Sequence, residues 1–204
     1  MTAADAPHSW DDSYQGPPPP WDIGRPQPAF VRLADAGSLR GELLDAGCGT
    51  GEHTLLAATR GATALGIDVS SRAIERARRK AEERAIDASF AVLDAIEIGE
   101  LNRGFDTVLD SGLFHVFDDE AATRYLAAVH RVLRSDGHLH LMCFSDQEPG
   151  DWGPRRVTER DLLSAFSSGW RIESIVADRF EINAVLDAST AHAWLVDVVR
   201  LSTA

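Results

Sequence analysis

The chain has little cysteine, no long apolar run and no excess of positive charge, and each shortage excludes a class of protein. Two cysteines among 204 residues, Cys48 and Cys143, cannot build a disulfide framework. Both are expected to be reduced, which fits a cytoplasmic setting. No segment reaches the about 18 consecutive apolar residues that a membrane-crossing helix needs. The first ten residues, MTAADAPHSW, lack a basic stretch followed by an apolar one, so no secretory leader is expected. Acidic residues number 32 against 20 basic ones, for a formal net charge of -12. A protein that grips nucleic acid or an anionic membrane carries the opposite balance. The most basic run, residues 70–84, interleaves its arginines with Glu75, Glu82 and Glu83 and reads as the solvated face of a helix. No internal repeat is visible. What is present is 44% hydrophobic residues, enough for one α/β core.

Apolar runs alternate with helical patterns. GELLDAG, ATALGID, ASFAVLD, FDTVLDSG and GHLHLMCF read as five strands, the first three ending in aspartate. Residues 29–39, EHTLLAATR, residues 70–84 and residues 118–133 read as helices. In the third, Ala73, Ala77 and Ala81 share a face with Ile74 at helical spacing. Such alternation predicts a doubly wound, Rossmann-like parallel sheet with helices on both faces. The C-terminal part differs. TERDLLSAF reads as a short helix with Thr158 as its N-cap. WRIESIVADRFEI and AHAWLVDVVRL then follow with no helix between them, so they should pair antiparallel.

Chemistry concentrates in LLDAGCGTGEHT, residues 43–54. Gly47, Gly49 and Gly51 are spaced G-x-G-x-G. The dinucleotide fingerprint requires a third glycine where Glu52 stands, and the phosphate-binding loop requires a lysine that is missing. What remains is a strand, an acidic residue at its end and a turn that lets backbone approach a ligand. Asp68 and Asp94 close the next two strands.

Together these features resemble the class I S-adenosylmethionine-dependent methyltransferases. The resemblance covers residues 29–201 and implies seven strands in the order 3-2-1-4-5-7-6, with one antiparallel strand near the C-terminus. It implies that Asp68 grips the ribose hydroxyls of S-adenosyl-L-methionine, that Asp94 reads the adenine amino group, and that the product is S-adenosyl-L-homocysteine. It extends the cofactor-binding set to Trp21, Asp45, Gly47, Cys48, Gly49, Gly51, Val69, Ala95, Asp110 and Ser111. The nucleic-acid amino-methylating pattern Asp/Asn-Pro-Pro-Tyr/Phe is replaced after strand four by Asp110, Ser111, Gly112 and Leu113.

His115, just beyond strand four, is the candidate general base for a hydroxyl, thiol or ring N–H. The alternative is a structural histidine that packs or caps the next helix. Tyr14, Phe114, His115 and Trp152 are the candidate substrate pocket. Trp152 is a lid residue in a Gly- and Pro-rich loop, beside Arg155 or Arg156 for an anionic group. His138 and His140 alternate on strand five without a metal partner in the sequence, and no metal is expected. PPWDIGRPQP, upstream of the glycine loop, resembles the start of the thiopurine S-methyltransferase-like branch, which includes thiol, halide and toxic-heterocycle methyltransferases. Residues 1–28 are then a cap segment and residues 29–204 the cofactor-binding domain. The first reading is methylation of S, O or N on a small thiol or heterocycle, for detoxification, by a monomer or weak homodimer without nucleic-acid or membrane partners. The alternatives are an RNA or protein methyltransferase and a non-catalytic binding module.

Overall fold

The computed structural model describes residues 10–185 and 188–202, with the side chains of 184, 185 and 188 left aside. The first nine residues of the expected cap segment lie outside that range. Seven strands form one sheet: β1 (Glu42–Ala46), β2 (Thr63–Asp68), β3 (Ser89–Val92), β4 (Phe105–Ser111), β5 (Leu133–Phe144), β6 (Trp170–Val185) and β7 (Ala188–Arg200). Their order is β3-β2-β1-β4-β5-β7-β6. The first five are parallel, and β7 runs antiparallel to both β5 and β6. The expected topology and the single reversed strand are therefore present.

Among the described residues, five helices cover the sheet: α1 (Pro28–Asp35), α2 (Glu52–Thr59), α3 (Ser71–Glu83), α4 (Asp119–Val132) and α5 (Glu159–Ala165). Their starts are written in the sequence. Pro28 occupies the first turn of α1, where its missing N–H costs nothing. The side chains of Ser70, Asp118 and Thr158 accept the first free backbone N–H groups of α3, α4 and α5. Thr158 and Asp161 cap each other's backbone reciprocally. On α4, Tyr125, Val129 and Val132 turn inward at helical spacing against Val108, Leu139 and Val198 of the sheet. Each such apolar side chain stabilises the fold by about 1.5–3 kcal/mol. The other sheet face presents Leu43, Leu109 and Met142 to Ala29 and Phe30 of α1.

Between β3 and β4, where the sequence reading placed no helix, the chain makes a 3-10 turn, Ala95–Leu101, ended by Asn102 in the left-handed region. Two elements depart from the sequence reading. Strand five begins at Leu133, where the helical pattern is expected to end, rather than at Gly137. Leu133 is fully buried and pairs with Phe105, and an irregularity in register follows before His138 meets Thr107. Burial of Leu133 favours the strand over one more helical residue. The antiparallel hairpin also extends past the expected residues, and its far end meets the N-terminal segment.

Candidate active site

The site lies where β1, β2, β4 and β5 end, as an open parallel sheet requires. Gly47, Gly49 and Gly51 all have positive φ, at 67°, 53° and 86°. A Cβ on Gly51 would sit 2.8 Å from the Phe90 ring, and one on Gly47 3.2 Å from Leu113. The turn thus needs glycine for conformation and for space. Asp68 holds it: one carboxylate oxygen accepts the Gly49 N–H at 2.8 Å and the other accepts the Ser70 N–H at 2.9 Å.

Three carboxylates converge here. Asp45 is buried, and one of its oxygens accepts the Thr54 hydroxyl at 2.6 Å. Its other oxygen, Oδ1, has no partner. Burial first, and then the neighbouring charges of Asp68 and Asp110, push its pKa up to about 7. Asp110 accepts the backbone N–H groups of Leu113 and Phe114, and burial raises it to about 6. The Tyr125 hydroxyl adjoins this carboxylate without good hydrogen-bond geometry. Burial likewise raises the pKa of Asp68. A buried carboxylate oxygen without a donor, among like charges, calls for a cationic ligand. The ammonium and sulfonium groups of S-adenosylmethionine are of that kind, so this donor set fits the cofactor.

Along the outer edge, Asp94 caps the 3-10 turn through the Ile96 N–H at 2.9 Å, and its side chain is exposed. Val69 exposes apolar surface next to Asp68, while Ala95 is buried. Ser111 is half-buried at the end of β4. Cys48 is buried with its pKa pushed well up by desolvation, so it packs rather than reacts.

The N-terminal segment lies over the glycine turn. The Tyr14 hydroxyl is 3.0 Å from the place a Gly49 Cβ would take, and it accepts the Trp21 indole N–H at 3.0 Å. Trp10 meets Trp21 edge-on, with centroids 5.8 Å apart. Asp11 accepts the Ser70 hydroxyl and the Arg72 N–H at the start of α3. Asp22 accepts the Thr50 hydroxyl at 2.9 Å, and Thr50 accepts from Lys80 at 2.6 Å. Asn183, on the hairpin, donates to the carbonyls of Pro19 and Asp22. Gln27 exchanges two hydrogen bonds of 2.8 Å with the Glu181 backbone. His53 is half-buried, and its Nε2 accepts the Gln27 N–H at 3.0 Å, so it anchors the segment to α2.

His115 stands on the acceptor side in an aromatic group. The Phe144 and Phe180 rings lie 5.0 Å and 6.0 Å from it, and Trp152 packs on Phe144 at 5.3 Å. Its Nδ1 accepts the Phe144 backbone N–H at 2.8 Å. The neutral ring therefore carries its proton on Nε2, which faces the Gly112 backbone. Burial, with Arg155 and Arg156 nearby, lowers its pKa to about 3. With its basic nitrogen engaged by an amide, His115 stands closer to the structural alternative than to the general-base role expected from the sequence.

The expected pocket also divides. Tyr14 belongs to the glycine turn. Phe114 is buried beneath α5, against Phe166 and under Arg155. His115 and Trp152 are brought together through Phe144, on which both pack, and Phe180 packs on His115 and Phe144; the sequence reading named neither phenylalanine. Phe180 lies on β6, in the antiparallel hairpin, and no motif marks it. Neither arginine of the loop is free for an anion. Arg155 pairs with Asp119 at 2.8 Å, and Arg156 donates to the carbonyls of Glu148, Trp152 and Pro154.

A family model described as a methyltransferase domain matches residues 43–137. The chain is 32% identical to the 2-heptyl-1-hydroxyquinolin-4(1H)-one methyltransferase of Mycobacteroides abscessus, over 85% of this chain and 81% of that one. It is 29% identical to thiocyanate methyltransferase 1 of Brassica oleracea, over 76% of this chain and 70% of that one. A solved structure described as the conversion of a disulfide bond into a thioacetal group during echinomycin biosynthesis superposes with a TM-score of 0.84. It is 37% identical, covering 94% of this chain and 89% of that chain. Magnesium protoporphyrin IX methyltransferase from Synechocystis, solved with S-adenosylmethionine, shares the fold at a TM-score of 0.65 and 21% identity, over 84% of this chain and 76% of that one. A relative above 30% identity along most of its length, a matching domain and a cation-seeking glycine-rich turn agree, and the chain belongs to the class I S-adenosylmethionine-dependent methyltransferases.

Proposed function

We propose that this enzyme methylates a compact apolar or aromatic small molecule at an atom already nucleophilic near neutral pH: a thiolate sulfur, an acidic hydroxyl or a ring nitrogen. The observation that carries this reading is the state of His115. The imidazole among the acceptor-side aromatics has its basic nitrogen bound to the Phe144 amide, so it takes no proton from the acceptor. An acceptor that needed a strong base would be poorly served. A thiol, with a pKa of about 8.5, brings its own thiolate fraction. The relatives' names point the same way, since they act on a hydroxyquinolone and on thiocyanate.

When bound, S-adenosylmethionine supplies an electrophilic methyl group on a sulfonium cation. Asp45 would offer its unpartnered oxygen to the cofactor's ammonium, and Asp68 and Asp94 would hold its ribose and adenine. Val69 and Ala95 would line the place of the adenine, Cys48 shapes the glycine turn, Asp110 orders the loop after β4, and Ser111 would line the site beside it. The aromatic group of Phe144, Trp152 and Phe180 orients the acceptor and excludes water, so displacement proceeds by alignment rather than proton transfer. Residues 1–28 act as the cap, with Trp21 holding Tyr14 over the turn. We infer detoxification in the cytoplasm as the setting, a reading supported by the two free cysteines and by small acceptors, with a monomer or weak homodimer as the expected assembly.

Transfer of labelled methyl to a panel of thiols, hydroxylated heterocycles, RNA and protein tests this. Label is expected in the small molecules, with kcat/KM rising through the pKa of each acceptor. Label found only in RNA or protein would overturn the reading.

A further inference from the structure

A second cluster of ligating side chains lies away from the glycine turn. His138 and His140 are two residues apart on β5 and share one sheet face. Antiparallel pairing places Asp197 of β7 directly opposite His140. The side-chain atoms of His138, His140 and Asp197 that can bind a cation all lie within 4.8 Å of one another. Nδ1 of His138 is 2.8 Å from Oδ1 of Asp197, and Nδ1 of His140 is 3.4 Å from the same oxygen. The two imidazoles stack with centroids 5.6 Å apart.

His140 supplies the independent sign of a ligand. It is only 2% exposed, and although Nδ1 lies 3.4 Å from Asp197 Oδ1 and the Ser38 backbone adjoins the ring, neither nitrogen makes a well-formed hydrogen bond. A buried imidazole held this loosely is costly, and a bound ion relieves the cost. We propose that His138, His140 and Asp197 form a binding site for a divalent transition ion of the zinc class. Ligand bonds of about 2.0–2.1 Å in a tetrahedral shell put ligand atoms about 3.4 Å apart, the spacing of the His140–Asp197 pair; the His138–Asp197 hydrogen bond of 2.8 Å has to open to that value as the ion takes its place. Imidazole with a carboxylate suits this class of ion, whereas magnesium and calcium prefer all-oxygen shells. The Ser38 backbone adjoins the His140 ring and is placed to fix its tautomer from outside. Arg40 is the opposing cation nearby; its side chain is exposed, so solvent screens it. His138 and Asp197 are each partly exposed and give the ion a path in. Binding moves the His138 proton from Nδ1 to Nε2 and frees Nδ1 for the metal, with no net change of charge on the ring.

The site is structural rather than catalytic. His138 pairs with Thr107, four residues before the end of β4, which puts it about 13 Å along the strand from the active-site rim. An ion there ties β5 to β7, the seam between the parallel sheet and the antiparallel hairpin.

The test uses the full-length, untagged protein after treatment with a chelator. Cobalt(II) and zinc(II) are added separately, followed by visible absorption, calorimetry and thermal unfolding. One equivalent is expected to bind, cobalt giving the intense bands of a tetrahedral shell and zinc raising Tm. His138→Gln and Asp197→Asn, each at a partly exposed position that keeps the fold, should each weaken binding by at least about tenfold. Methyl transfer by the metal-free protein should persist. No saturable binding, or binding of equal strength in both variants, would overturn the proposal.

Discussion

Asp45 shows what one residue decides. It closes β1 where a buried carboxylate is least welcome, and burial lifts its pKa from 3.8 to about 7. Between those values the folded chain holds a proton that the unfolded chain has released. Stability without cofactor therefore falls as pH rises through that window, the reverse of a salt-bridged aspartate. Asp45→Asn removes the penalty. Its Tm without cofactor should gain on that of the wild type as pH increases from about 4 to 7, read by scanning calorimetry. The cost appears in binding. A hydrogen bond to a charged group is worth about 1.5–3 kcal/mol, so cofactor affinity at pH 8 should drop roughly ten- to a hundredfold. Unchanged affinity by titration calorimetry would remove Asp45 from the cofactor site.

At the scale of elements, the short turn after β4 is fastened to the end of β5. His115 accepts the Phe144 amide while Asp110 accepts the amides of Leu113 and Phe114, so the turn is held from both sides. His115→Leu leaves the buried Phe144 N–H unsatisfied and should cost about 1–3 kcal/mol of stability. His115→Gln restores an acceptor and should recover most of that loss. The pH profile of kcat in the glutamine variant should keep the wild-type shape. A profile that loses its acidic limb in that variant would return His115 to the role of base.

For the whole molecule, the N-terminal segment bridges α3, the glycine turn and the antiparallel hairpin. Deleting residues 1–24 removes Asp11, Tyr14, Trp21 and Asp22 together but leaves the sheet and its helices intact. Circular dichroism should stay close to wild type, while cofactor affinity falls by about tenfold or more, equivalent to about 1.4 kcal/mol. A truncated chain with wild-type affinity would make the segment a tether rather than a cap.

The sequence by itself determined the parallel sheet, the cap of α5, the glycine turn and its three strand-end aspartates. These are local signals: apolar period, turn chemistry and the N–H groups of a helix start need only neighbouring residues. The start of β5 at Leu133 was not legible, because helix and strand compete there and burial against Phe105 decides. The tautomer of His115 was equally hidden, since its partner lies 29 positions away and a backbone N–H leaves no trace in a sequence. Phe180 and Asp197 came to their places only through the register of the hairpin. Tertiary structure therefore decided which histidine is fastened and which is left open. That choice rests on contacts between distant strands, which spacing along the chain does not encode.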